Sequence, residues 1–98
     1  MNAAELVKQY QAGTKDFSGI DLVGVSLKNI DLCQIVFNQA ILTEVDFTGA
    51  NLTNANFHFA LLNLSNLSEA ILTGANLKSA TLQSALLYKV SCGKAQLQ

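Results

Sequence analysis

The side chains in this sequence that could take part in catalysis or metal binding are one histidine, two cysteines and seven carboxylates. No carboxylate or nucleophile stands beside His58 to form a proton relay, so we expect a solvent-facing histidine rather than a catalytic one. Cys33 and Cys92 are 59 positions apart, and with one histidine they do not make the usual ligand set of zinc. No glycine-rich phosphate loop is present. The sequence therefore predicts a protein that is not an enzyme and has no cofactor, metal or small-molecule substrate.

The composition predicts a single small domain with little charge. The chain has 98 residues, of which 50% are hydrophobic and 13% are charged, and its net charge is −1. This balance is not that of a disordered chain or of a nucleic-acid binder. Apolar runs fall far short of the ~20 residues of a membrane-spanning helix, and residues 1–13 lack the apolar core of a signal peptide. We therefore expect a cytoplasmic protein with free thiols and with no membrane or nucleic-acid partner.

The elements that must position any functional surface follow a period of five residues. From residue 17 to residue 87 every fifth residue is Leu or Phe, and we call these fifteen positions the central register. From Ile20 to Val90, the positions two residues before the members of this register and before Cys92 form a second apolar row of Ile, Val and Ala, in which only Ser65 is polar. The central register consists of Phe17, Leu22, Leu27, Leu32, Phe37, Leu42, Phe47, Leu52, Phe57, Leu62, Leu67, Leu72, Leu77, Leu82 and Leu87.

A period of five fits neither a single helix nor one long strand. Two apolar residues that are two apart point to the same face of an extended segment, so the remaining residues must turn the chain before the next pair. Short polar side chains such as Asp21, Asn51 and Asn76 lie between the two rows and can hydrogen-bond the backbone beside each bend. The sequence therefore predicts a chain wound into coils, which stack through backbone hydrogen bonds about 4.8 Å apart.

Two tracts, Ala50 to Phe57 and Thr73 to Leu77, resemble the pentapeptide repeat family, whose consensus is A-(D/N)-L-x-x. The resemblance covers residues 15–98. It implies an all-β solenoid, a right-handed quadrilateral parallel β-helix with four repeats per coil and therefore about four coils. The corresponding domain boundaries are 1–13 for an N-terminal capping helix and 14–98 for the β-helix.

Residues 2–12 carry the pattern of that helix. Asn2 and Glu5 have the spacing of a capping box, and Gly13 is well placed to end the helix. The alternative is a frayed N-terminal tail. The predicted apolar face, at positions i, i+3, i+4 and i+7, consists of Ala3, Leu6, Val7 and Tyr10.

The C-terminal repeats contain an apolar cluster with no capping element after it. We expect Cys92 to be a small core residue and Leu86 to point outward. One hypothesis is an end-on interface, either a tail-to-tail homodimer or docking onto the first coil of another repeat protein. The alternative is that the last repeat frays and shields the end itself. The candidate partner-binding residues are Leu86, Leu87, Tyr88 and Val90.

A second group of apolar residues is expected on the outside of the solenoid. If four repeats make a coil, Ile41 and Leu61 stack on one face, and Phe59 and Leu64 flank Leu61. We call these four residues the lateral patch, a candidate partner surface. The alternative is that they are ordinary scattered surface residues. Other outward apolar positions are Val36, Ile71 and Leu86.

Two functions of different classes follow. The lack of site chemistry predicts a non-catalytic protein-binding or scaffold module, with a second copy or another repeat protein as partner. The resemblance implies the alternative, a DNA-mimicking modulator of a topoisomerase (gyrase), which would need a strong negative field. Residues 1–50 carry six acids and three lysines, whereas residues 51–98 carry one acid and three lysines. This difference along the chain either favours head-to-tail association or serves solvation alone.

Overall fold

The computed structural model describes residues 1–97, and within this range the chain has one helix followed by a stack of parallel β-bridges. Helix α1 spans Ala3–Gln11. Beyond it, single-residue bridges from Asp16 to Gln96 take the place of continuous strands, and all of them are parallel. The chain after α1 therefore winds repeatedly in one direction, as a parallel β-helix does.

Each bridge joins two residues that are twenty apart, so one turn of the β-helix takes twenty residues. The hydrogen bonds repeat with the same spacing: Leu62 N donates to Thr81 O at 2.9 Å, and Thr81 N donates to Ala60 O at 3.0 Å. These bonds tie each coil to the next and satisfy the buried backbone. The bridged columns are Asp16–Val36–Asn56–Asn76–Gln96, Asp21–Ile41–Leu61–Thr81, Ser26–Asp46–Asn66–Leu86 and Asp31–Asn51–Ile71–Ser91.

The core is the inside of the coil, and the central register fills it. Its thirteen members from Phe17 to Leu77 are all buried. Phenylalanine rings contact one another within the stack, with centroids 5.8 Å apart between Phe37 and Phe57 and 6.1 Å apart between Phe37 and Phe47. The spacing of five therefore does direct these side chains toward one shared interior.

The last coil departs from this pattern. Leu82 is only half-buried and Leu87 is exposed, although both belong to the central register. Cys92, which continues the register, is exposed as well, so the expectation that it is a core residue is wrong. Within the range 1–97 no further coil is stacked over these residues, and an inward-facing side chain in an end coil has no neighbour on one side.

The bends between repeats are held by Asp and Asn side chains, as the sequence predicts. In eight repeats Oδ1 of the residue before the central Leu or Phe accepts from the backbone N–H two residues later, as from Thr53 N to Asn51 Oδ1 at 3.1 Å. The residue two after the central position then takes a positive φ, which is 69° at Gly49. A Cβ at Gly49 would also overlap Oδ1 of the Asn29 side chain one coil earlier, which would have to move, whereas glycine adopts this corner conformation without strain.

Helix α1 lies against the first coil. Asn2 precedes it, and Asn2 Oδ1 accepts from Glu5 N at 2.9 Å, which satisfies one of the free N–H groups of the first turn. Leu6 is fully buried in the apolar cluster formed by the central register. No helix among residues 1–97 is long and apolar enough to cross a membrane. The residues of α1 that pack partly buried against this cluster are Ala3, Val7 and Tyr10.

The side chains of His58 and Ser65, like Oδ1 of Asn38, contain buried polar atoms that have no hydrogen-bond partner among the described residues. His58 is half-buried, its ring lies edge-on to Phe59 with centroids 4.4 Å apart, and its Nδ1 is buried. The Nδ1 side of the His58 ring therefore does not contact solvent, and the expectation that His58 faces solvent is wrong for this side. Ser65 is fully buried in the second apolar row, and its hydroxyl finds no hydrogen-bond partner among the described residues.

Candidate protein-binding surfaces

The end of the β-helix formed by residues 78–97 presents apolar side chains that would be core residues in any earlier coil. We call Leu82, Leu87, Val90, Cys92 and Leu97 the C-terminal surface. Leu87 is 45% exposed and Leu97 is 60% exposed, whereas the central register is buried from residue 17 to residue 77. Val90 and Leu82 are half-buried. At this end of the β-helix, therefore, one cross-section of the solenoid core is exposed to solvent.

The backbone of this end coil is uncovered as well. One coil earlier, Leu67 N donates to Leu86 O at 2.7 Å and Ser91 N donates to Ala70 O at 3.0 Å. The corresponding groups in the last coil, the N–H of Leu87 and the carbonyl of Val90, have no backbone partner within residues 1–97. Unpaired strand edges of this kind are ready to pair with another chain.

The other residues predicted for this end lie at its rim. Leu86 is 58% exposed and is the bridge partner of Asn66, so it points outward, as the sequence predicts. Tyr88 is 67% exposed, and Lys89 Nζ lies 5.3 Å from its ring centroid. A shallow depression of about 410 Å³ opens at the same end of the molecule. It is lined by Lys78, Ala95, Gln96 and Leu97.

The lateral patch is a second, separate group. Ile41 and Leu61 are bridge partners in neighbouring coils, which is the stacking that four repeats per coil would produce. Ile41 is half-buried, whereas Phe59, Leu61 and Leu64 are exposed. Val23, which the repeat pattern does not single out, is also exposed. The patch is therefore small and reaches solvent mainly through three side chains.

Phe59 and Leu64 have bulky side chains that are unfavourable for the backbone conformation at their positions. Their φ angles are 59° and 63°, in the left-handed region, where bulky side chains are disfavoured. The β-helix imposes this conformation at every corner, and other corners meet it with Gly19, Gly24 or Asn54. The misfit at these two corners is a property that the sequence periodicity does not reveal.

Local hydrogen bonds and burial shift the pKa values of several titratable side chains. The Ser18 hydroxyl and backbone N–H hold the pKa of Asp16 below its usual value, and Thr48 does the same for Asp46. Burial, followed by the neighbouring Asp31 carboxylate, raises the pKa of the Cys33 thiol. No group of three or more His, Cys, Asp or Glu side chains that could hold a metal ion occurs in the described part of the chain.

Comparison with known proteins places the chain among repeat proteins. The family model "Pentapeptide repeats" matches residues 16–54 and 50–87, with eight copies of the repeat. A search of curated proteins finds no match. Members of this family are generally non-catalytic repeat proteins that often serve as protein-interaction or scaffold modules, and none of these comparisons supports the gyrase alternative.

Three solved structures share the architecture. The pentapeptide repeat protein alr5209 from Nostoc PCC 7120 is 34% identical with a TM-score of 0.59, over 93% of this chain and 79% of that one. Rfr23 from Cyanothece 51142 is 28% identical with a TM-score of 0.51, over 85% and 64% of the two chains. HetL from Nostoc sp. strain PCC 7120, a protein involved in heterocyst differentiation regulation, is 27% identical with a TM-score of 0.54, over 87% and 46%. The fold is that of a right-handed β-helical solenoid.

Proposed function

This chain belongs to the pentapeptide repeat family, and we propose that it is a non-catalytic protein-binding module that associates end-on through its C-terminal surface. In this proposal four coils form a quadrilateral β-helix, α1 covers the first coil, and the last coil receives the partner. The partner is a second copy bound tail to tail, with the first coil of another repeat protein as the alternative. We place the module in the cytoplasm, which agrees with the free thiols of Cys33 and Cys92.

The observation that carries this proposal is the contrast between the two ends of the core. Leu27 lies in the first coil and is fully buried, because α1 packs over that coil. Leu87 occupies the equivalent position in the last coil and is 45% exposed. Solenoids protect their end coils with a cap or a partner, since the core is otherwise open to water. The C-terminal surface has the composition of a core and lacks, within residues 1–97, the cover that the first coil has.

Two copies can cover each other's C-terminal surface through a twofold symmetric contact. A twofold rotation about an axis perpendicular to the solenoid reverses the direction of each extended segment, so the two end coils meet with antiparallel edges. Antiparallel edges exchange N–H and carbonyl hydrogen bonds perpendicular to the chain. The unpaired N–H of Leu87 and carbonyl of Val90 would then have partners around the rim, while the apolar side chains pack in the centre.

The size of the end sets the expected affinity. The molecule measures 29 × 22 × 21 Å, so an end face of 22 × 21 Å buries on the order of 900 Å² over both copies, below the roughly 1,200 Å² of specific stable interfaces. We therefore expect a weak homodimer, with a Kd of about 1 μM or higher. Association must be measured over a wide concentration range.

Sedimentation velocity at several concentrations tests the proposal. Leu87→Lys places a charge in the centre of the C-terminal surface, and Leu61→Lys is its matched control because Leu61 has a similar exposed fraction, 41%, on the lateral patch. We expect Leu87→Lys to abolish the dimer and Leu61→Lys to leave it intact. The opposite result would assign the interface to the lateral patch. A wild-type chain that stays monomeric up to about 1 mM would rule out self-association through this surface.

A further inference from the structure

We infer that the first coil carries a second docking surface, hidden beneath α1, whose occupant is the C-terminal surface of another copy of this chain. We call its rim residues, Asp16, Asp21, Ser26 and Asp31, the N-terminal surface. This inference rests on the binding role proposed above for the C-terminal surface and adds a second arrangement, head to tail. In this arrangement α1 covers the first coil, and a second copy can bind there only after α1 has moved away.

The rim of the first coil presents an unpaired edge of its own. Asp21 is the first-coil member of the bridged column Asp21–Ile41–Leu61–Thr81. Thr81 uses both backbone groups to join the coil before it, by donating to Ala60 O and accepting from Leu62 N. The N–H and carbonyl of Asp21 have no such partners within residues 1–97, and the same holds for the other three rim residues.

The two ends of the solenoid are complementary to each other. Ala80 O and Leu82 N are the last-coil counterparts of Ala60 O and Leu62 N, and no described backbone group bonds to them. Asp16 of a second copy, seated over this pair, would donate to Ala80 O and accept from Leu82 N. The next rim residue, Asp21, then meets the equivalent pair Ala85 and Leu87, and the register continues around the coil. The contact reproduces the ladder already present inside the molecule.

Charge favours the same pairing. Three of the four rim residues of the N-terminal surface are aspartates, and all four are exposed. The first coil, residues 15–34, also contains Lys15 and Lys28, so its net charge is −1. The coil formed by residues 78–97 contains three lysines and no acid. Opposite charge on the two ends increases the rate and specificity of head-to-tail encounter, and salt weakens it. A tail-to-tail pair, in contrast, brings lysines toward lysines. The three lysines are Lys78, Lys89 and Lys94.

Helix α1 blocks this contact by its thickness. Stacked coils lie about 4.8 Å apart, whereas a helix with its side chains is about 10 Å across. While Leu6 is buried over the first coil, a second molecule cannot approach to the distance at which backbone bonds form. The rim residues of the N-terminal surface are exposed, but α1 covers the centre of the first coil. Head-to-tail assembly therefore requires α1 to move away from the first coil.

Helix α1 is held to the first coil by the apolar contacts of Ala3, Leu6, Val7 and Tyr10 and by few polar interactions. Within residues 1–97 its one hydrogen bond to the β-helix runs from the Tyr10 hydroxyl to the Cys33 carbonyl, at 2.8 Å. Lys15 Nζ lies 3.8 Å from the Tyr10 ring centroid, and Leu6 is the one fully buried residue of the nine in the helix. A helix of nine residues is not stable alone in water. Its release is therefore a local opening of the kind that proteins undergo without global unfolding.

Sedimentation velocity of the full chain tests the inference. Leu6→Asp unseats α1, and circular dichroism checks that the β-helix stays folded. We expect wild-type species no larger than a dimer, and for Leu6→Asp a weight-average mass at least about threefold that of the monomer, which grows with concentration because a head-to-tail contact does not close. Adding Leu87→Lys is expected to return Leu6→Asp to the monomer, and about 0.5 M salt to reduce its mass.

The outcomes separate this inference from the proposed function. A folded Leu6→Asp variant no larger than the wild type overturns the inference and leaves the tail-to-tail dimer standing. Oligomers that persist with Leu87→Lys, or that grow with salt, indicate unspecific aggregation and also overturn it. A monomeric wild type with an oligomeric Leu6→Asp variant contradicts the tail-to-tail dimer alone. If Leu6→Asp unfolds the β-helix, the milder pair Leu6→Ala with Tyr10→Phe is read by the same criteria.

Discussion

Replacing Ser65 by alanine should stabilise the protein. Ser65 is fully buried and its Oγ has no hydrogen-bond partner among the described residues, and such a buried hydroxyl costs about 1–3 kcal/mol. Alanine already fills equivalent positions of the second apolar row, at Ala55, Ala60 and Ala70, where it is buried without strain. The change removes one oxygen atom and leaves a cavity of roughly 10 Å³, which at about 24 cal/mol per Å³ costs a few tenths of a kcal/mol. We expect a net gain of about 1–2 kcal/mol in the free energy of unfolding.

Urea denaturation and calorimetry measure this gain. For a chain of this size, 1 kcal/mol corresponds to roughly 4–8 °C in Tm, so a gain of about 1–2 kcal/mol should make Ser65→Ala melt about 4–16 °C higher than the wild type. Ser26→Ala is the control, because Ser26 is exposed, and it should change the free energy of unfolding by less than about 0.5 kcal/mol. A Ser65→Ala variant that is less stable than the wild type would show that the hydroxyl has a partner in solution, and the reasoning would fail.

Three further changes test the packing, the corners and the bends. Phe57→Asp places an unpaired charge inside the core, where Phe57 is fully buried, and we expect no cooperative thermal transition; a normal transition would refute the inward assignment. Phe59→Asn relieves a bulky residue at a φ of 59° and should raise the free energy of unfolding by about 1 kcal/mol, whereas a loss would show that the exposed ring contributes packing. The Thr48 hydroxyl and backbone N–H lower the pKa of Asp46, so its ionised form stabilises the folded state above the unfolded-state pKa, and this contribution is lost as the pH falls through the lower folded-state pKa. Asp46→Asn keeps the acceptor oxygen and should reduce the slope of stability between about pH 5 and pH 2; an unchanged slope would contradict this.

The interior of the molecule was predictable because its rule is local and repeated. Leu52 and Phe57 face inward for the same reason as their neighbours five residues away, and the helix predicted over residues 2–12 is found at Ala3–Gln11 because its apolar spacing is helical. The hydrogen bonds from Asx side chains to the backbone were equally predictable, since donor and acceptor are two residues apart. Interactions confined to a few neighbouring residues can be read without knowing the fold.

The candidate surfaces were only partly predictable. The apolar composition of residues 86–90 was visible in the sequence, but Leu87 and Cys92 obey the same register as buried residues and are nevertheless exposed. Burial depends on whether another coil lies above, which is a property of the stack. The hydrogen bond from the Tyr10 hydroxyl to the Cys33 carbonyl joins residues 23 positions apart, and no sequence motif predicts it.

The period of five, the two apolar rows and the bends follow from the amino-acid sequence alone, because each depends on side-chain direction and on contacts within one repeat. The pairing of residues twenty apart becomes visible in the folded molecule, since closing a coil requires the turns of successive repeats to add up in space. The folded molecule also shows which end of the core is covered. Helix α1 reaches the first coil and buries Leu6 there, whereas the last coil meets solvent, and leucines of the same register are therefore buried in the core at one end and exposed at the other.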